Sequence, residues 1–314
     1  MDTLLYLLAR TVVAFLQALP LTAVARFGQA VGAIAYRLDA RHRRVALENL
    51  NLCFGAQKSP AEIRALAQEN FRRIGENFAC AIKTAAMSAE ELRPYFEFVG
   101  VEKILSYEAG KNPQSRIVAI GHFGNFELYA RFGQFVPGFK CATTYRGLRQ
   151  PSLNRLMQSL RERSGCRFFE RRTEAAALKA AMSDHGLLLG LLADQHGGDR
   201  GVRLPFLGHE CFSSAAPALF ALRYNCPLHT AICFRTALGR WRIEAGDEIP
   251  TRENGQLRCV EAITADINRA FEAAIRPDPA NWFWVHNRWR VCPPKTRAAG
   301  GGVAPANAED LADL

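Results

Sequence analysis

Apolar residues recur at helical spacing through the N-terminal quarter of the chain. Leu4, Leu5, Leu8, Val12, Phe15 and Leu16 form one stripe, and an Ala- and Gly-rich stretch over 21–38 forms a second. Residues 45–54 read as a further helix. Ser59-Pro60-Ala61-Glu62 opens another, with proline in the first turn and Glu62 placed to close a capping box. Ile63, Leu66, Phe71, Ile74 and Phe78 carry that helix toward Met87. A short helix starts at Ser88, residues 96–99 read as a small strand, and 101–109 as a helix. From residue 116 the period shortens. Runs at 117–120, 140–145, 166–169, 187–193, 228–235 and 241–245 read as strands, with helical segments at 151–163, 173–184, 213–224 and 257–275. Alternating strands and helices give an α/β fold.

One strand-turn-helix concentrates the candidate chemistry. Residues 116–129 read RIVAIGHFGNFELY: a β-branched run, a turn at Gly121 and Gly124, Asn125 as N-cap, and a helix opening at Phe126. His122 and Glu127 are five apart, roughly 500° on a continuous helix. They meet only if His122 lies in the loop and folds back over the helix start. A carboxylate there would take the Nδ1 proton and leave Nε2 as a base. The same two residues also fit a loop histidine followed by a glutamate that suits the helix dipole. A second candidate is the all-apolar run 187–193, typical of a strand buried on both faces. It delivers Asp194 and Gln195 to the sheet edge where open α/β folds bind ligands. The glycine-rich segment 197–208, with Arg200 and Arg203, reads as a flexible loop beside that edge.

Composition narrows the setting. A hydrophobic content of 49% supports a sizeable core, and the net charge of +10 favours an anionic partner: nucleic acid, an anionic bilayer or an acidic substrate. The nine cysteines are scattered without a C-x-x-C pair, which suggests reduced thiols facing a cytosol. His185, His196, His209 and Cys211 match no standard zinc spacing, so no metal is expected. There is no G-x-S-x-G elbow, Walker A loop or G-x-G-x-x-G, and no cofactor is implied. The N-terminal stripe lacks the basic start and cleavage site of a signal peptide. Arg10 inside it would cost ~2.5–3.5 kcal/mol in a span. A helix lying in the membrane interface fits better, with Arg41-His42-Arg43-Arg44 meeting lipid phosphates. The string from Trp282 to Arg290, aromatic residues interleaved with arginine, would suit base stacking, although no nucleic-acid motif accompanies it. Residues 293–314, rich in Pro, Ala and Gly with an acidic end, read as a disordered tail.

Several blocks together resemble one family. They are Arg43-Arg44-Val45, Glu48-Asn49-Leu50, Cys53-Phe54, Gly121 through Glu127, Tyr145-Arg146, Arg161 four before Gly165, Asp194-Gln195, Pro205-Phe206-Leu207-Gly208, and Trp284 through Trp289. In order and spacing, over about residues 1–292, the chain resembles the lauroyl/myristoyl acyltransferases of late lipid A assembly, in the lysophospholipid acyltransferase superfamily. It departs from that pattern at Gly147, where the family usually has proline, and at His196-Gly197-Gly198.

The resemblance implies a mixed central sheet flanked by helices (residues 53–292), N-terminal membrane-associated helices (1–52) and a tail (293–314). It implies O-acyl transfer from an acyl thioester, on acyl carrier protein or coenzyme A, to a lipid hydroxyl, at the cytoplasmic face of a bacterial inner membrane. A lipid A precursor is the implied acceptor; another glycolipid, an aminolipid or a lysophospholipid stays open. In this scheme His122 is the base and Glu127 orients it. Arg161, with backbone groups at Gly124 and Asn125, stabilises the oxyanion. Arg146, Arg149, Asp194, Gln195, Arg203, Phe206 and Gly208 contact substrate. The competing class is a non-catalytic basic protein that binds a lipid surface or nucleic acid.

Overall fold

The computed structural model describes residues 2–105, 114–135, 138–184, 186–198 and 201–290. The readings for 106–109, for Arg200 and for the tail 293–314 lie outside the described residues. The chain opens with four helices, α1 (Asp2–Ala18), α2 (Leu21–Leu38), α3 (Ala40–Phe54) and α4 (Pro60–Ala86). Pro20 separates the first two, and the Asp39 carboxylate accepts the His42 amide to start α3. The capping box at the head of α4 forms as the sequence requires: Glu62 N–H donates to Ser59 Oγ, and Ser59 N–H donates to Glu62 Oε2 at 2.8 Å. α2 packs against α4 backbone to backbone. A methyl group on Gly32 would overlap the Phe71 carbonyl, and one on Gly28 the Gly75 carbonyl. The glycines of the α2 sequence are therefore what lets the two helices close on each other. Leu16, Leu21, Val24 and Ala25 join the same core as the rest of the molecule.

The outer face of these helices is apolar. Leu4 (64% exposed), Leu8 (57%) and Phe15 (54%) stand open to solvent on α1, as do Val31 and Ile34 on α2. Among the described residues no helix is long and apolar enough to cross a membrane.

Short elements α5 (Ala89–Leu92), β1 (Phe96–Val99) and α6 (Val101–Leu105) lead to the sheet. Its other strands are β2 (Arg116–Ile120), β3 (Lys140–Tyr145), β4 (Arg167–Glu170), β5 (Leu187–Leu192), β8 (Leu228–Ala237) and β9 (Arg240–Ala245), in the order β1-β9-β8-β2-β5-β3-β4. All neighbours are parallel except β8 and β9, so the sheet is mixed. β2 lies at its centre and is buried throughout, as its unbroken apolar run requires. α9 (Ala175–Ser183) and α10 (Ala216–Tyr224) cover the face to which Leu191 points. A 3-10 turn (Phe126–Arg131), α7 (Phe132–Phe135), α8 (Pro151–Glu162) and α6 cover the other. α11 (Val260–Ile275) packs behind β8.

Two sequence readings need correction. From residue 202 the glycine-rich segment is not a loop: β6 (Val202–Phe206) pairs antiparallel with β7 (His209–Ser213). Leu207 and Gly208 close this hairpin with φ of 50° and 84°, the two positive angles that a type I′ turn demands. Pro205 inside one strand and a leucine at a left-handed position hid the pattern. The aromatic-basic string is core, not a base-stacking platform. Trp282, Trp284 and Arg288 are buried, and Arg288 donates to the carbonyls of Gln195 (2.9 Å) and Phe212 (2.6 Å). Asn70 on α4 donates to the carbonyls of Ala280 and Trp282, and Asn49 on α3 to those of Trp284 and His286. These bonds fasten the C-terminal segment to the N-terminal helices.

Candidate active site

β2 ends at Ile120, and His122 leaves the sheet two residues later. Register then chooses its partner. Ile120 pairs with Leu192 on the parallel neighbour β5, so the residues two further along each strand, His122 and Asp194, come out side by side. His122 Nδ1 lies 2.8 Å from Asp194 Oδ1, and the His122 amide donates to Asp194 Oδ2 at 2.9 Å. The Trp282 indole donates to the same oxygen at 2.8 Å. Asp194 is fully buried. Burial opposes its charge, but attraction to His122 and the hydrogen bonds from His122 and Trp282 hold its carboxyl below the usual range. An ionised carboxylate accepting at Nδ1 fixes the proton there and leaves Nε2 as acceptor. Among the described residues no protein group is bonded to Nε2. The rings of Phe126 and Phe283 stand 4.8 and 5.8 Å from the imidazole and shield it.

Glu127 does not orient His122. Asn125 makes no side-chain cap, and residues from Phe126 form a 3-10 turn instead of an α-helix. On that tighter turn Glu127 faces α8, where it takes a bidentate bond from Arg161: Nη2 to Oε1 at 2.6 Å and Nε to Oε2 at 3.1 Å. Arg161 stacks over Phe168 at 4.8 Å and Tyr145 at 5.7 Å. So the carboxylate five residues past His122 anchors an arginine, and the one seventy-two positions away serves the imidazole.

His122, Glu127, Arg146 and Arg161 all line one cavity of about 470 Å³. Its floor is the sheet face carrying Ile120, Leu192, Val118, Gly190 and Leu188; Phe98, Ile104 and Phe132 roof it. Arg146, Asn154, Gln158 and Arg161 add polar groups to the wall beside His122 and Glu127, and most of the remaining lining is apolar. The exposed ring of Phe78 lines it too, 6.1 Å from Phe126 and 6.2 Å from Phe283.

The other residues expected at the site fall elsewhere. Asp194 touches His122 and Trp282 and is sealed from any substrate, so its assignment as a substrate contact is wrong. The Gly124 amide donates to the Asn281 carbonyl at 3.0 Å, which removes it as an oxyanion donor. Asn125, expected to act through its backbone N–H, is buried with its side-chain amide donating to Thr84 Oγ1 at 3.4 Å. Gln195 gives its carbonyl to Arg288. Arg149 is exposed and is not part of the cavity wall. Arg203 pairs with Glu210 across the β6–β7 hairpin at 3.0 Å. Phe206 is buried against Trp282 and Trp289, and Gly208 closes the hairpin. Sequence reasoning missed Trp282 as the second partner of Asp194. Its only signal was a tryptophan inside an otherwise unexplained string. Nearby, His286 Nε2 accepts the His196 amide at 3.1 Å, and burial pushes its pKa down to about 4.

Comparison with known proteins identifies the family. A family model for bacterial lipid A biosynthesis acyltransferases matches residues 2–291. The chain is 24% identical over 282 residues to the lipid A biosynthesis lauroyltransferase of Escherichia coli K12, covering 88% of each chain. It is 25% identical over 285 residues to the palmitoleoyltransferase of the same pathway and organism (88% of this chain, 87% of the relative). A lipid A biosynthesis acyltransferase of Shigella flexneri matches to the same extent.

Proposed function

The chain belongs to the bacterial lipid A biosynthesis acyltransferase family, and from that premise we propose that it moves a fatty acyl chain from an acyl carrier protein thioester to a hydroxyl of a lipid A precursor, with His122 as general base. The observation that carries this reading is the imidazole held by a buried carboxylate at Nδ1 while it lines an apolar cavity. Nε2 takes the hydroxyl proton as the alcohol oxygen bonds to the thioester carbon. The tetrahedral oxyanion then collapses, the C–S bond breaks, and the leaving thiolate recovers the proton from the imidazolium. No enzyme nucleophile is required, because a thioester is already activated. Arg161 lines the same cavity as His122 and stabilises the oxyanion, with Glu127 and the rings of Phe168 and Tyr145 holding its plane. The hydrocarbon part of the cavity takes the acyl chain, and Arg146 and Asn154 face the polar head of donor or acceptor.

An acidic carrier protein suits a chain of net charge +10. The exposed stripe of α1 places the enzyme on its lipid: Leu4, Leu8, Val12 and Phe15 enter the interface while the exposed Arg41 and Arg44 meet headgroup phosphates, Arg43 being turned inward onto the carbonyls of Tyr36 and Arg37. The free thiols among the described cysteines suit the cytoplasmic side of the inner membrane. The test is acyl transfer from labelled acyl carrier protein to a lipid A precursor in mixed micelles. His122→Ala is expected to abolish transfer while the variant stays folded by circular dichroism, with a lower melting temperature because the buried Asp194 carboxylate loses a partner. A variant that still turns over at the wild-type rate refutes the assignment.

A further inference from the structure

We propose that Gly190 sets the length of acyl chain the cavity admits, a reading that rests on the acyl-transfer function above. The sheet floor of the cavity is built in rows, because parallel neighbours present registered residues on one face. Nearest His122, Ile120 aligns with Leu192 and with Ala231. One row deeper, Val118 and Thr143 both align with Gly190. The third row holds Leu188 and Cys141. All these residues line the cavity, and successive rows are about 6.6 Å apart.

Gly190 is the gap in the middle row. It interrupts an otherwise solid run of leucines, and glycine inside a strand weakens it. Two common reasons for glycine do not apply. Its φ is not positive, and no backbone crowds it. A Cβ built there would meet the terminal methyl of Ile120 at 3.3 Å and the Ala142 carbonyl at 3.8 Å. Gly32, by contrast, has the Phe71 carbonyl where a side chain would go. The only tight neighbour of a side chain here is the flexible end of Ile120, itself part of the cavity wall, which must give by a few tenths of an ångström; beyond it the space beside Gly190 is cavity. Because Leu188 and Leu192 on the same strand also line the cavity, a side chain at 190 would project between Val118 and Thr143. It would separate the third row from the catalytic end.

The measurement is competition among saturated acyl carrier protein thioesters of graded chain length, with products counted by mass spectrometry, for wild type, Gly190→Ala and Gly190→Val. Binding of a graded series of fluorescent fatty acids gives a second readout that needs no turnover. Gly190→Val is expected to move both optima to shorter chains and to lower the long-over-short ratio of kcat/KM at least roughly 10-fold, since one methylene in an apolar pocket is worth that much. Gly190→Ala moves the same way by less, and it carries the test alone if the valine variant does not fold. Folded variants with unchanged length preference in both assays overturn the proposal. If wild type transfers from no thioester while the binding optimum still moves, the acyl-transfer reading fails and the size-setting role of Gly190 stands.

Discussion

Replacing Asp194 by asparagine separates the two carboxylates that compete for the role of His122's partner. Three donors converge on Asp194: Trp282 Nε1 and the His122 amide on Oδ2, and His122 Nδ1 on Oδ1. An asparagine has one oxygen and one NH2 group to offer. With its oxygen at the Oδ2 position it satisfies two buried donors, and its NH2 then faces Nδ1 at about the present 2.8 Å. An NH2 group can only donate there, so Nδ1 becomes the acceptor and the proton moves to Nε2. That tautomer cannot take a proton from the acceptor hydroxyl. The reversed amide would restore the active tautomer but strand two buried donors, at ~1–3 kcal/mol each, or ~2–6 kcal/mol together. Asp194→Asn should therefore lower kcat by between about 30-fold and 10⁴-fold, the upper end matching an Asp→Asn change behind a catalytic histidine. The KM for the acyl donor should stay put, because the cavity wall is untouched. The assay is steady-state acyl transfer on Asp194→Asn and Glu127→Gln side by side, with melting curves for both. An Asp194→Asn enzyme that keeps more than about a third of wild-type kcat, or a Glu127→Gln enzyme that falls further than it, refutes the argument.

Other consequences follow from the same contacts. Arg161→Lys loses the two-pronged bond to Glu127 and the stacking on Phe168, and should cost about 1–3 kcal/mol in kcat/KM, read by kinetics at saturating donor. Leu8→Ser with Val12→Ser should weaken vesicle binding by roughly 10²- to 10⁴-fold in a sedimentation assay, since each side chain buries ~1.5–3 kcal/mol of apolar surface in the interface. Gly32→Ala should destabilise the protein by about 1–3 kcal/mol in chemical denaturation, because α2 must move off α4 to make room. Stability should also fall as pH drops from about 6.5 toward 4. His286 is held unprotonated down to about 4 in the folded chain, so the unfolded chain binds more protons in that window. His286→Asn should flatten the slope in part, His196 and His229 being depressed by burial as well.

Much of the architecture could be read from the chain. The capping box at Ser59, the four-helix start, and the strands around His122 and before Asp194 all follow from periodicity and turn chemistry, and each forms where its residues require. What periodicity cannot supply is strand order. That β5 lies beside β2 is a long-range fact, and without it Asp194 looked like a substrate contact and Glu127, close in sequence, looked like the partner of His122. The 3-10 turn after Asn125 is equally invisible locally, and the Arg161 fork that Glu127 meets from it comes from a distant helix. Trp282 was conspicuous but unassigned for the same reason: its indole finds Asp194 across eighty-eight positions.

The fastening of the last segment bears on how the molecule comes to be. Trp282 steadies the buried carboxylate, and Asn49 and Asn70 grip the backbone beside it from helices made first. A ribosome that has released only the first two hundred and seventy residues has delivered every strand of the sheet, yet the imidazole's support is incomplete. Catalytic competence thus waits in synthesis for residues 280–286, which slot between the helices α3 and α4 and the centre of the sheet.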